Sequence, residues 1–280
     1  MIPAAFTYQR PASLDEAVQA IAGGDAKVLA GGQSLLPLLK LRLARADKLV
    51  DIGRIGELKG YRSMPDAGVE IGAMTTYAEW QAATTFPGMA EAIDRIGDVQ
   101  VRNRGTIGGS IAHADPASDA PAITLAFDGS AVLRGPGGER VVPLDGFFEG
   151  PFQTAMRPDE ILVAIRRGPV PDGARFAYCK LAQPASGYSI VGIAAVVAMN
   201  RGLIRHARIG VTGVHEHPYR ATDVETALEG TDGSAEAIAA AAAHVTDDAE
   251  ASSDIHADAE YRAAMAVVYT RRAIEAALGR

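Results

Sequence analysis

Ile190 to Met199 is the longest apolar run of the chain, ten residues interrupted only by Gly192. That is about half the length a membrane-spanning helix needs. The uncharged stretch leading into it holds Gln183, Pro184, Ser186, Gly187 and Ser189, which would be costly in lipid. The run therefore reads as a buried strand. Asn200-Arg201-Gly202 follows it as a tight hairpin turn into a second strand, Leu203 to Val211. A third strand, Phe176 to Leu181, precedes them, and alanine-rich helices at Ser234 to His244 and Ala259 to Leu278 complete the C-terminal part.

The cluster Gly168-Pro169-Val170-Pro171-Asp172-Gly173 marks the boundary of that part, dividing the chain into 1–170 and 171–280. Within the first piece, Ala4 to Tyr8 is a short extended start. Ser13 and Glu16 form a capping box for a helix with Leu14, Ala17, Val18 and Ile21 on one face, stopped by Gly23-Gly24. Lys27 to Ala30 reads as a strand, Leu35 to Leu43 as a helix and Lys48 to Ile52 as a strand, a small α/β unit covering about residues 1–55. A second unit, about 56–170, has strands at Val69 to Gly72, Ala131 to Arg134, Glu139 to Val142 and Glu160 to Arg166. Thr75 or Thr76 caps its helix holding Trp80.

Lys and Arg number 27 against 34 Asp and Glu, a net charge of −7 in 280 residues, which excludes a general binder of nucleic-acid backbones. The single cysteine, Cys179, excludes an internal disulfide and an iron–sulfur cluster held by this chain alone. Met1 to Arg10 lacks the basic start and apolar core of a signal peptide, so a cytoplasmic location and no membrane insertion are expected.

Chemistry concentrates at two glycine-rich turns, Ala30-Gly31-Gly32-Gln33-Ser34 and Thr106-Ile107-Gly108-Gly109-Ser110. Paired glycines followed by a hydroxyl residue can aim several backbone N–H groups at one point, forming an anion-binding nest. They are equally compatible with ordinary turn geometry. His215-Glu216-His217 lacks the helical spacing of a zinc site and reads as a loop before Pro218. His113-Ala114-Asp115 either faces a ligand or lines its turn. Strand alternation points Cys179 away from Lys180, which makes the thiol a buried, inert one.

Several ordered motifs together carry a resemblance. Val28 to Leu36, Thr106 to Pro121, Phe147 to Ala155, Asp159 to Leu162, Lys180 and the apolar strand after Tyr188 make the chain resemble the FAD-binding medium subunit of the molybdenum hydroxylases, the xanthine dehydrogenase and aerobic carbon monoxide dehydrogenase group. The resemblance implies an α+β protein: a two-subdomain FAD-binding fold of the PCMH/vanillyl-alcohol-oxidase type, plus a C-terminal domain of three antiparallel strands with helices. It implies that Val28, Leu29, Ala30, Gly31, Gly32, Gln33, Ser34 and Leu35 form the first FAD loop, and Thr106, Ile107, Gly108, Gly109 and Ser110 the second. Backbone donors of both loops are expected to hold the diphosphate without a lysine.

By the same resemblance Asp119 accepts from cofactor hydroxyls, although its place after Ser118 also suits a helix N-terminal acid. Leu162 packs against the ring system or serves as a core leucine. Lys180 lies near the isoalloxazine or ends a strand, and Tyr188 stacks on the flavin or packs in a loop. Gln33 stands where histidine or asparagine is frequent, and Ser110 where asparagine is. The implied function is electron transfer: FAD here takes electrons from 2Fe-2S clusters of a small partner subunit, and a molybdopterin large subunit oxidises the substrate. The expected assembly is a heterotrimer or its dimer, with no catalytic acid or base and no metal in this chain. A standalone flavoenzyme on the same fold is the alternative. A module that has lost FAD is disfavoured by the intact glycine pairs.

Overall fold

The computed structural model describes residues 1–24 and 26–280. The chain opens with β1 (Thr7–Gln9), α1 (Leu14–Ile21), β2 (Ala26–Leu29), α2 (Leu35–Leu41) and β3 (Lys48–Asp51). The three strands form a parallel sheet in the order β1-β3-β2. Ser13 caps α1 by accepting the Glu16 amide at 3.2 Å. The Glu16 carboxylate reaches back to the Ala12 amide at 2.9 Å, one residue beyond the expected capping-box partner. Ala17, Val18 and Ile21 then pack on Val50 and Ile52.

The chain continues through β4 (Tyr61–Ser63), β5 (Val69–Gly72), α3 (Tyr77–Ala83), α4 (Met89–Asp94), α5 (Val99–Arg102), α6 (Ile107–His113) and α7 (Asp119–Ala126). It continues with β6 (Ser130–Gly135), β7 (Gly138–Pro143), β8 (Phe148–Gly150), β9 (Gln153–Thr154) and β10 (Ile161–Arg167). Its main sheet is antiparallel, in the order β4-β5-β10-β6-β7. Thr76, not Thr75, caps α3. Its hydroxyl accepts the Glu79 amide at 3.2 Å while the Glu79 carboxylate takes the Thr76 amide at 2.8 Å. Thr75 is buried and bonds to Gly60 instead.

The C-terminal part comprises β11 (Arg175–Ala182), β12 (Ser189–Asn200), β13 (Leu203–Thr212), β14 (Tyr219–Arg220), α8 (Thr222–Leu228), α9 (Ala235–Ala242) and α10 (Ala259–Leu278). The three expected long strands pair antiparallel in chain order, and the two-residue β14 extends the sheet. Arg201 and Gly202 both have positive φ, 52° and 78°, as the two-residue hairpin requires.

The apolar run of β12 has a structural cause. Val191, Ile193, Ala195 and Val197 face a core built with α8, α9 and α10. Ala194 and Val196 face the opposite core, which includes Ala120, Ala122 and Ile123 of α7. Both sides of the strand are therefore covered, and α7, all eight residues buried, is the element that joins the two parts. A Cβ on Gly210 would overlap the Ala122 carbonyl, so glycine lets α7 lie directly on β13.

Candidate flavin site

The two glycine turns come together in space. A Cβ built on Gly31 would overlap the Arg104 carbonyl oxygen and stand 3.0 Å from the Gly105 Cα. One built on Gly109 would lie 3.6 Å from the Ala30 Cβ. The absent side chains thus serve contact between the turns. Gly108 is similarly pressed on Ala73, where a Cβ has no room, and Gly32 holds φ +75°.

Their amides differ. In the second turn every N–H from Ile107 to Ser110 has a protein acceptor. Ile107 donates to Thr75 O at 3.1 Å, Gly108 to Ala73 O at 3.0 Å and Ser110 to Thr106 O at 3.1 Å. Gly109 donates to the Thr106 hydroxyl at 3.1 Å, because Thr106 caps the short helix α6. In the first turn the N–H groups of Gly31, Gly32, Gln33, Ser34 and Leu35 meet no acceptor among the described residues. Ser34 makes no side-chain cap to α2 either. The expectation that both turns present bare amides is corrected: the first does, and the second supplies a close-packed wall.

The rest of the first loop fills two roles. Val28 and Ala30 lean on a core that α1 and β3 share with Val132 of β6 and Ile161 and Val163 of β10. A Cβ built on Gly32 would stand 3.3 Å from Leu29 Cδ1, and Gln33 is exposed. Leu35 is half-buried at the start of α2. Leu162, 4 % exposed on β10, belongs to the core that also holds Ile107 and Ile111 of α6.

Asp119 and Lys180 prove to be partners. Lys180 Nζ donates to Asp119 Oδ2 at 2.9 Å and to the Arg95 carbonyl at 3.1 Å. Asp119 Oδ1 accepts from the Tyr178 hydroxyl and, at 2.8 Å, from Ser189. Tyr178 and Lys180 sit two apart on β11 and so share a face, opposite Cys179. Gly192, across the ladder from Lys180, leaves the space that the Tyr178 hydroxyl fills. Burial pushes the Tyr178 phenol well up from its ordinary value, and the Asp119 charge beside it adds to the effect. Buried this way, Asp119 has lone-pair capacity to spare but little open access.

Tyr188 is 44 % exposed and ends a loop folded around the Gln183 side chain, whose oxygen accepts the amides of Ala185 and Ser186 at 2.6 and 2.7 Å. Partial burial raises its phenol; the carboxylates of Asp115 and Asp119 add to the rise and the nearby Ser34 hydroxyl opposes it. Tyr188 of the C-terminal part therefore stands next to the first glycine turn. Ser110 pairs with Ser118 at 2.5 Å, and the buried Tyr77 phenol lies beside Ser110.

Sequence reasoning missed Tyr178, Ser189, Ser118 and Thr212. Only the first had a local signal, its two-residue spacing from Lys180. His215 and His217 stack edge to face at 4.6 Å and bond to the carbonyls of Glu250 and Pro218, and no metal-binding cluster occurs among the described residues. A polar cleft of about 300 Å³ between Asp145, His217, Arg220 and Asp248 lies away from the glycine turns.

The donor set suits a flavin dinucleotide. Consecutive free amides match a diphosphate's charge, and the wall formed by the second turn matches its need for close backbone approach. Comparison with known proteins agrees. Residues 4–169 match the model of the FAD binding domain in molybdopterin dehydrogenase, and residues 176–277 that of the CO dehydrogenase flavoprotein C-terminal domain. The chain is 41 % identical to the carbon monoxide dehydrogenase medium chain of Hydrogenophaga pseudoflava, covering 100 % of this chain and 99 % of that one. It is 36 % identical to the glyceraldehyde dehydrogenase medium chain of Sulfolobus acidocaldarius, covering 98 % and 99 %. Among solved structures, the Hydrogenophaga pseudoflava carbon monoxide dehydrogenase lacking the Mo-pyranopterin moiety superposes with a TM-score of 0.96 at 42 % identity, over 100 % of this chain and 99 % of that one. No helix among the described residues is long and apolar enough to cross a membrane. The chain belongs to the FAD-binding medium-subunit family of the molybdenum hydroxylases, a family of oxidoreductases.

Proposed function

We propose that this chain holds FAD as the electron-transfer subunit of a molybdenum hydroxylase, receiving electrons from 2Fe-2S clusters in a small partner subunit and passing them to an external acceptor. Substrate oxidation would fall to a molybdopterin large subunit, in a heterotrimer or its dimer. The observation that carries the cofactor assignment is the run of five amides, Gly31 to Leu35, without a protein acceptor. The single cysteine supports placing the clusters in another chain and the complex in the cytoplasm.

Bound FAD supplies a centre that exchanges electrons singly or in pairs. The residues of this chain position it. Amides 31–35 bind the diphosphate, Gly108 and Gly109 keep the opposite wall close, and Tyr188 covers the mouth beside Ser34. Lys180 pairs with Asp119 in a dry setting at the domain seam. Residues 1–170 serve as the FAD-binding domain, with subdomains of about 1–55 and 56–170, and 171–280 serves as the covering domain.

Purification of the native protein with whatever accompanies it tests the proposal. Flavin absorption that bleaches on reduction is expected, with iron present only when partners co-purify. A colourless chain that takes up no FAD contradicts it, and turnover of a small molecule by the chain alone favours a standalone flavoenzyme.

A further inference from the structure

Arg262 stands where a cation is least expected. It closes the first turn of α10, where the helix dipole disfavours positive charge, and it is only 4 % exposed. Burying a guanidinium is costly unless its donors are met. Nη2 pairs with Asp254 Oδ2 at 2.6 Å. Nη1 donates to the Ile190 carbonyl at 2.7 Å and to the Gly213 carbonyl. Nε is buried and has no partner among the described residues. An apolar side chain of similar volume is commonly as stable in such a place, so the stability of α10 does not account for the charge.

The backbone that the guanidinium holds leads to the flavin site. Ile190 is the second residue of β12, and Gly213 follows the last residue of β13. Gly213 takes φ +79°, and a Cβ on it would stand 2.6 and 2.7 Å from the carbonyl oxygens of Ser189 and Ile190. These strand ends also grip the turn between α6 and α7, residues 115–119. The Gly213 amide donates to Pro116 O at 2.7 Å and the Ser189 amide to Ala117 O at 3.2 Å. The Thr212 hydroxyl lies 2.7 and 2.8 Å from the carbonyl oxygens of Pro116 and Ser118. Ser118 is bonded in turn to Ser110 of the second glycine turn at 2.5 Å, and that turn meets the first at Gly109 and Ala30. An unbroken set of contacts thus runs from the Asp254–Arg262 pair to the wall of the flavin site.

We propose that Arg262 is a positioning residue for FAD: paired with Asp254, it fixes the ends of β12 and β13. The 115–119 turn, and through it the second glycine turn, is thereby kept at a set distance from the amides of Gly31 to Leu35. This role rests on the FAD assignment above and goes beyond it, since none of the hydrogen bonds of Arg262 reaches either glycine turn.

The test compares Arg262→Met, Arg262→Lys, Asp254→Asn and Ile274→Val with wild type, each as the full chain with whatever partners co-purify. Asp254→Asn keeps the oxygen that takes the His256 and Ala257 amides at 2.8 and 3.0 Å and removes the charge facing Arg262. Ile274→Val, at a fully buried position of the same helix, is the control for stability alone. FAD titration, visible circular dichroism of the bound flavin and a thermal melt are read on each protein. Arg262→Met and Asp254→Asn should bind FAD ~2–30-fold more weakly, the range for residues that act on a site through others, and should alter the flavin dichroism. Arg262→Lys should recover part of the loss. Ile274→Val should melt early yet bind FAD with wild-type affinity and dichroism. If Arg262→Met does not fold, Asp254→Asn against Ile274→Val decides. Wild-type affinity and dichroism in Asp254→Asn and in every Arg262 variant that folds overturns the proposal. So does an affinity loss that follows the melting temperature through Ile274→Val as well. A wild-type protein that takes up no FAD overturns the functional assignment first, and this role with it.

Discussion

Lys180 donates to Asp119 at 2.9 Å across the seam between β11 and α7, and the two side chains are only 4 % and 6 % exposed. The family resemblance assigns each residue separately to the cofactor, yet the fold makes them one unit, completed by Tyr178 and Ser189. Removing one member of such a pair leaves an uncompensated buried charge.

Lys180→Met and Asp119→Asn are therefore each expected to destabilise the chain by ~3–5 kcal/mol. The double variant should lose less than the sum of the two, because neither charge is stranded. Urea denaturation of the four proteins measures this, and strict additivity would show that the pair is not coupled.

Thr212 is 1 % exposed, and its hydroxyl serves two carbonyls of the 115–119 turn. Thr212→Val keeps the shape and strands the Ser118 carbonyl, at a cost of ~1–3 kcal/mol. Thr212→Ser should recover most of the loss in the same denaturation experiment. Equal damage from both variants would point to packing of the methyl group instead.

Gly31→Ala places a methyl group against the Arg104 carbonyl and must force the turns apart. A destabilisation of ~1–3 kcal/mol, typical of overpacking, is expected together with weakened FAD binding. Gly23→Ala is the control, since nothing lies within 4 Å of its added carbon. Fluorescence titration of both variants with FAD should separate them.

Glu160 is buried and receives Arg140 Nε and Nη2 at 2.6 and 2.8 Å, plus the Arg157 amide at 2.7 Å. The Arg140 guanidinium holds its carboxyl below the ordinary 4.5. With the folded value depressed, the stability this group contributes is present above about 4.5 and is lost as pH falls through the folded value. Urea midpoints measured downward from pH 6 should drop more steeply for wild type than for Glu160→Gln. Parallel curves would remove Glu160 from the acid response.

Much of this architecture was readable from local pattern. The strand starting at Ile190, the hairpin at Arg201-Gly202 and the cap at Ser13 each follow from periodicity or turn chemistry within a few residues. The motif order likewise pointed to the family. What the sequence did not disclose are relations between distant residues. Tyr178 and Ser189 meet Asp119 over separations of 59 and 70 residues, and no local signal announces such contacts. The two glycine pairs look alike in sequence, yet Thr106 and the carbonyls of Ala73, Thr75 and Thr106 satisfy one set of amides and leave the other free. The two-residue β14 and the seven-residue α8 are held by pairing and packing with β13, and so carry weak patterns of their own.

Amide hydrogen exchange, read by mass spectrometry on the full chain with and without FAD, bears most directly on the site. Peptides covering Gly31 to Leu35 should exchange fast without the cofactor and become protected when it is added. Peptides covering Ile107 to Ser110 should be slow in both states. No FAD-dependent change at 31–35, or a large one confined to 107–110, would contradict the account.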